Sequence, residues 1–140
     1  MNKNSANTYA LHTDTQCKTS GLGQTGAQAL TDCALDSSSG STGCSVTDPS
    51  TKSFGAGFNS NNGGYYVTEW QAEGIKIWFF PRGSEPSSLT SSSPDTSDFG
   101  TPHANFQGDC DIEKRFMDQV SGNKSIPYRT QLMLLAIHLH

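Results

Sequence analysis

Residues 63–82 read GGYYVTEWQAEGIKIWFFPR. Two runs rich in aromatic and β-branched residues, Tyr65–Trp70 and Ile75–Phe80, flank the four residues Gln71-Ala72-Glu73-Gly74. Runs of that kind joined by a short glycine-bearing loop predict an antiparallel hairpin. Gly74, at the end of the connection, is a residue that can take a positive φ. Asn62-Gly63-Gly64 opens the hairpin, and Pro81, which cannot donate to a ladder, closes it. Side chains alternate along a strand, so Ile75, Ile77 and Phe79 share one face and Lys76, Trp78 and Phe80 the other. Both faces are mostly apolar and both need cover. The second strand is therefore expected at the centre of a sheet in a layered, all-β structure, with no wet face of its own.

A chain of 140 residues is one domain or part of one. Its hydrophobic content is 33% and its mean hydropathy −0.53. Outside the hairpin and the last nine residues, Gly, Ser, Thr, Asn and Asp dominate, which suits short strands with long turns better than helices. The net charge is −4 and the pI about 5.4. There is no basic stripe to meet phosphates, so nucleic acid and anionic membranes are excluded as expected partners. Leu132–Ile137 is apolar but far shorter than the roughly 20 residues that span a bilayer. His138 and His140 have strand spacing for a metal but no third ligand placed with them, so no metal or cofactor is expected.

The four cysteines are Cys17, Cys33, Cys44 and Cys110. None forms a Cys-x-x-Cys pair, which argues against a zinc ribbon or a thioredoxin-like centre. An even number in Ser/Gly-rich sequence predicts disulfides and an oxidising compartment, with three pairings open. The polar start, Met1-Asn2-Lys3-Asn4-Ser5, is not a signal peptide, and the chain is expected to be an internal piece of a longer exported protein.

Along the chain, Asn7–Thr13 predicts a short strand with Tyr9 and Leu11 on one face and Thr8, Ala10 and His12 on the other. Asp14–Phe54 shows no clear periodicity and reads as a long irregular region held by its cysteines. Phe54-Gly55-Ala56-Gly57-Phe58 with the Asn/Gly cluster after it reads as a turn into the hairpin. Gly83–Ser97 is a Ser/Pro-rich surface loop. His103–Phe106 predicts a short strand and Gly108–Phe116 a helical turn. Val120–His140 has a different character from the rest, and Asn123-Lys124-Ser125 within it is a glycosylation sequon, a pattern common by chance.

Taken in order, Leu11-His12-Thr13, Cys17, Gln24-Thr25-Gly26, Asp32-Cys33, Gly43-Cys44, Phe54–Asn59, the hairpin, Phe99-Gly100-Thr101-Pro102, Ala104-Asn105-Phe106 and Cys110-Asp111-Ile112 resemble glycoside hydrolase family 16, in particular its fungal endo-1,3(4)-β-glucanases. The resemblance covers roughly Ser5–Gln119. It divides the chain into a partial family domain, residues 1–119, and a divergent tail, residues 120–140. It implies a concanavalin-like β-jelly-roll sandwich, incomplete at both ends, with β-glucan bound on the concave face. It further implies a secreted or wall-associated parent protein, a monomer if folded, that cleaves by a retaining mechanism.

In such a mechanism two carboxyl groups flank the scissile bond, one as nucleophile and one as acid/base. The family carries both on a strand bearing Glu-x-Asp-x-x-Glu, placed immediately before the segment matching Asn7–His12. That motif is absent from this sequence, so no catalytic residue is assigned and the chain alone is expected to be inactive. By the resemblance, His12 faces the cleft beside the catalytic strand, and Trp70, Trp78 and Arg82 join it as candidate substrate-binding residues; aromatic side chains in a sandwich are more often core. The family cysteine expected after Gln119 is missing, which leaves one of the four at risk of having no partner. The competing readings are a non-catalytic β-glucan-binding module, the inactive product of a pseudogene, and a small disulfide-rich protein with no carbohydrate role.

Overall fold

A computed structural model describes residues 5–14, 17–38 and 40–110 and the backbone of 131–137. The hairpin forms as β7, Gly64–Gln71, and β8, Gly74–Pro81, in unbroken register from Gly64 opposite Pro81 to Gln71 opposite Gly74. The connection is therefore two residues, Ala72 and Glu73, and Gly74 is not its positive-φ residue. Gly74 is needed for space instead, because a Cβ there would lie 2.8 Å from the carbonyl oxygen of Phe106 on the next strand.

That next strand is β9, Ala104–Asp109. It pairs along β8 and then with a two-residue strand near the N-terminus, β2, Lys18–Thr19. On the other side, β7 pairs antiparallel with β10, Gln131–Ile137, so a segment of the divergent tail extends this sheet. The order of the five-stranded sheet is β10-β7-β8-β9-β2, and β8 is central as its two apolar faces required. Gly108 and Asp109 belong to β9 and not to a helical turn; residues 111–130 lie outside the described part of the chain, as do His138 and His140.

The region from Asp14 to Phe54 is more ordered than its composition suggests. It contains β2, then β3, Ala27–Leu30, β4, Leu35–Asp36, β5, Ser41–Thr42, and β6, Cys44–Thr47. The first strand, β1, Thr8–Leu11, pairs with β6, and β6 with β3, giving a second sheet in the order β1-β6-β3. Phe54–Ser60 is not simply a turn: Gly55–Ser60 forms a short helix, α1, whose Phe58 is buried against Tyr66 and Phe79.

The two sheets face each other across a core of Tyr9, Leu11 and Val46 from the small sheet and Ile75, Ala104 and Phe106 from the large one, with Ile77 packed at its side. All four cysteines are in this layer. Cys17 bonds to Cys110 and Cys33 to Cys44, so none is left without a partner. The opposite face of β7–β8 carries Val67, Trp78 and Phe80, and it is covered by Leu89 and Phe99 from the Ser/Pro-rich loop and its exit. The molecule thus has three tiers: the small sheet, the large sheet, and a loop lid over the far side of the large sheet.

Candidate functional site

On β1 and β6 the outward face of the small sheet is built from short side chains, while β3 adds the exposed Leu30 opposite Ser45. Alternation along β1 sends Tyr9 and Leu11 inward, and leaves Thr8 and Ala10 exposed, with His12 exposed just beyond the strand. Opposite them on β6, Ser45 and Thr47 are half-buried while Cys44 and Val46 point into the core. His12 rests against Gly43: a Cβ on Gly43 would come within 2.4 Å of its Nδ1, and Gly43 also has φ +97°. Only glycine satisfies both conditions, so the seat of the imidazole is specified by the residue before Cys44. Among the described strands β1 has a ladder partner on one side only, at the edge of the small sheet nearest His12.

The other candidate residues are not gathered around His12. Trp70 lies on the core side of β7 near the turn, half-buried and packed against the inter-sheet cluster. Trp78 points to the opposite side of the large sheet. It is 3% exposed, meets Phe99 edge-on at 5.5 Å and donates from Nε1 to the Gly100 carbonyl at 3.0 Å. In this position its ring is core and offers no face to a sugar. Arg82 is at the far end of the hairpin from Trp70. Its guanidinium lies 5.3 Å from the Tyr65 ring centre, and its Nε donates to Asn62 O at 2.8 Å.

Two buried carboxylates exist among the described residues, and both have structural partners. Glu69, on the loop-covered face, pairs with Lys76 Nζ at 3.2 Å and accepts from the Thr96 hydroxyl at 2.9 Å. Asp48, just past β6, has a side chain with no exposed surface. Its Oδ2 accepts from the Tyr9 hydroxyl and lies 3.2 Å from His103 Nδ1, and its Oδ1 accepts the Ser50 N–H at 2.6 Å. Asn7 Nδ2 donates to the Tyr66 hydroxyl at 3.3 Å, and that hydroxyl donates to Ser53 O. The cluster pins β1, the end of β6, β7 and the entry to β9 together. Nothing in the sequence announced it, since Asp48 and His103 are 55 residues apart. No group of three His, Cys, Asp or Glu side chains that could hold a metal is found among the described residues, and no described helix is long and apolar enough to cross a membrane.

The cluster gives the fold a pH dependence of definite sign. Burial alone would raise the Asp48 carboxyl, but hydrogen bonds from His103, Tyr9 and Ser50 outweigh it and hold it below the ordinary 3.8. A depressed carboxyl stabilises the fold above its unfolded value, and that contribution is lost as pH falls through the folded value. Burial, and then the Asp48 charge, push the Tyr66 phenol up to about 12; burial and Asp48 push Tyr9 up as well. For these phenols the sign reverses: their contribution is present below pH ~10 and lost as pH climbs through the folded values. Urea melts across pH should therefore show weakening below about pH 4 and again above about pH 10. Asp48→Asn should flatten the acid limb; an unchanged acid limb would remove Asp48 as its cause.

A protein-family model, described as the XgeA-like catalytic GH16 domain, matches residues 1–121. The chain belongs to glycoside hydrolase family 16. Among curated family relatives, a probable endo-1,3(4)-beta-glucanase of Aspergillus niger is 44% identical over 119 residues, covering 85% of this chain and 16% of that protein. The endo-1,3(4)-beta-glucanase xgeA of Emericella nidulans is 43% identical over 120 residues, covering 85% and 19%. Among solved family 16 structures, an elongating beta-1,3-glucosyltransferase superposes with a TM-score of 0.74 at 40% identity, covering 95% of this chain and 40% of that one. Laminarinase 16A of Phanerochaete chrysosporium, solved with beta-glucans in both donor and acceptor sites, gives 0.71 at 30% identity, covering 95% and 42%. This family 16 chain thus spans under a fifth of these two curated relatives and about two-fifths of these solved chains. Its fold is part of the family's jelly roll.

Proposed function

We propose that this chain is a section of a secreted retaining endo-1,3(4)-β-glucanase domain, in which the outward face of β1-β6-β3 forms part of the wall of a β-glucan cleft. The observation that carries the reading is the 44% identity over 119 residues to a probable endo-1,3(4)-beta-glucanase. Family membership and the position of His12 support it. A strand carrying Glu-x-Asp-x-x-Glu would pair on the open edge of β1. The period of two puts its first Glu and Asp on one face, and a β-bulge brings the last Glu round to join them. His12, seated on Gly43, is then placed to hydrogen-bond a sugar hydroxyl or the acid/base carboxyl beside it.

The chain by itself is expected to release no sugar. Retention needs two carboxyl groups about 5–5.5 Å apart, one attacking the anomeric carbon and one moving the proton. Glu69 and Asp48 are in different tiers and already bonded to structural partners, and the family motif is not in the sequence. The pure chain incubated with laminarin and with mixed-linkage β-glucan should give reducing ends at the level of a buffer blank; release above it refutes the reading. Saturable retention on insoluble β-glucan without hydrolysis would make the chain a binding module instead. The 40% identity to a glucosyltransferase favours one further possibility for the parent protein. The covalent intermediate would then pass to a sugar hydroxyl in place of water, and longer glucans among the products would distinguish that outcome.

A further inference from the structure

The connection between β8 and β9 is anchored by two buried apolar side chains and tied to Glu69 through Thr96, and it is open from Thr90 to Pro94. Leu89 is 2% exposed and Phe99 6%, both packed in the cluster around Trp78. Between these anchors, Thr90, Ser91, Ser92, Ser93 and Pro94 are exposed in an unbroken row. Ser91 leaves the single 3-10 turn Ser87–Thr90 in extended backbone, φ −72° and ψ 165°, and Pro94 biases Ser93 toward the same geometry. Neighbouring hydroxyls are engaged: Ser91 Oγ donates to Ser88 O at 2.8 Å, Ser88 Oγ to Asp98, and Ser97 Oγ to Asp95. The hydroxyls of Ser92 and Ser93 make no hydrogen bond to a described residue.

We propose that Thr90–Ser93 is a site of O-glycosylation, with the Ser92 and Ser93 hydroxyls as its first acceptors. Three observations converge on it. Ser/Thr-rich sequence bounded by Pro86 and Pro94 has the composition of O-glycosylated segments. The row starts at the end of the 3-10 turn and is solvent-facing, and its buried neighbours Leu89 and Phe99 fix it on both sides, so a transferase meets a presented segment at little ordering cost. Both disulfides are closed, which suits the oxidising compartments where such transferases work. The site also lies on the loop tier, across the whole molecule from His12, so sugars there leave the small-sheet face open. The serine oxygen would displace the lipid phosphate of a lipid-linked sugar, or the nucleoside diphosphate of a nucleotide-linked sugar, from the anomeric carbon. The oxygen–carbon bond forms, the carbon–phosphate oxygen bond breaks, the hydroxyl proton goes to the transferase's base, and nothing is oxidised or reduced.

The proposal rests on the reading of the protein as exported, and the test separates the two. The full chain is given an export leader and an affinity tag, expressed in a secretory yeast, and captured from medium and lysate alike. After reduction and trypsin, the peptide Gly83–Lys114 is mapped by electron-transfer mass spectrometry. Hexose increments on Thr90–Ser93 are expected, with complete loss in the variant carrying Thr90→Ala, Ser91→Ala, Ser92→Ala and Ser93→Ala, whose exposed positions leave the fold intact. A bare peptide, hexoses confined to other residues, or a phosphate in their place overturns the proposal, whatever the native leader of the protein is.

Discussion

Removing the Cys17–Cys110 bond, with both residues changed to alanine, is expected to cost about 4–5 kcal/mol of folding stability. The bond closes 93 residues of chain, and in the loop-entropy account the stabilisation grows with the logarithm of that span. The Cys33–Cys44 bond closes only 11 residues and by the same account contributes about 3 kcal/mol. Both pairs are buried in the same layer, so the loss of sulfur packing is similar in the two double variants and their difference reports the loop term. Against a total of roughly 5–15 kcal/mol for an ordinary domain, losing the longer bridge would lower the melting midpoint by roughly 10–20 °C. Urea melts of the two variants decide it: a smaller loss for the Cys17/Cys110 variant would show that the bridge acts through something other than the unfolded chain.

Trp78→Ala is expected to cost about 3–5 kcal/mol, the usual range for emptying a buried aromatic site. The indole fills the space between the large sheet and the loop tier, and its loss also leaves the Gly100 carbonyl without the donor it now has. Trp78→Phe keeps most of the ring and loses the N–H, so about 0.5–1.5 kcal/mol should go with it. Trp70 is half-buried, and Trp70→Ala should cost less than Trp78→Ala. A Trp78→Ala chain that melts normally yet holds glucan less well would return Trp78 to the cleft and contradict its place in the core.

The hairpin was readable because two apolar faces on one strand allow few arrangements. Ile75, Ile77 and Phe79 need one cover and Trp78 and Phe80 another; the small sheet covers Ile75 and Ile77, Phe58 of α1 meets Phe79, and the loop tier covers Trp78 and Phe80. The disulfides were foreseeable in number but not in pairing, since three pairings satisfy the same count. Strands β2, β4 and β5 were not readable. Each is two residues long, and two residues carry no period. β6 had a signal that the surrounding serines hid: in Cys44-Ser45-Val46-Thr47 the inward and outward positions alternate as the burial does. The helix at Gly55–Ser60 owes its form to tertiary contact, with Phe58 held between Tyr66 and Phe79, against a local preference for turns. Of the candidate site, His12 was legible from strand alternation and the family resemblance. Gly43 beneath it was not assigned a role, because only the folded backbone shows that no Cβ fits there. Trp78 could not be sorted between cleft and core from sequence, because an alternating strand does not say which of its faces meets solvent.

The ladder between β2 and β9 has a temporal consequence. Lys18 and Thr19 pair with Asp109 and Gly108, across the whole stretch that holds β3 to β8, so this is a contact of high sequence separation that makes for slow folding. On a ribosome adding 5–20 residues per second, Thr19 emerges on the order of ten seconds before its partner exists. Throughout that interval Cys17 is a thiol without its mate, alongside Cys33 and Cys44, whose own bond can close as soon as one short loop is made. The order of synthesis therefore favours the native bridges only if Cys33 and Cys44 find each other first. Cys17 is then left to wait for Cys110, and the longer bridge is the step that commits the nascent chain to its fold.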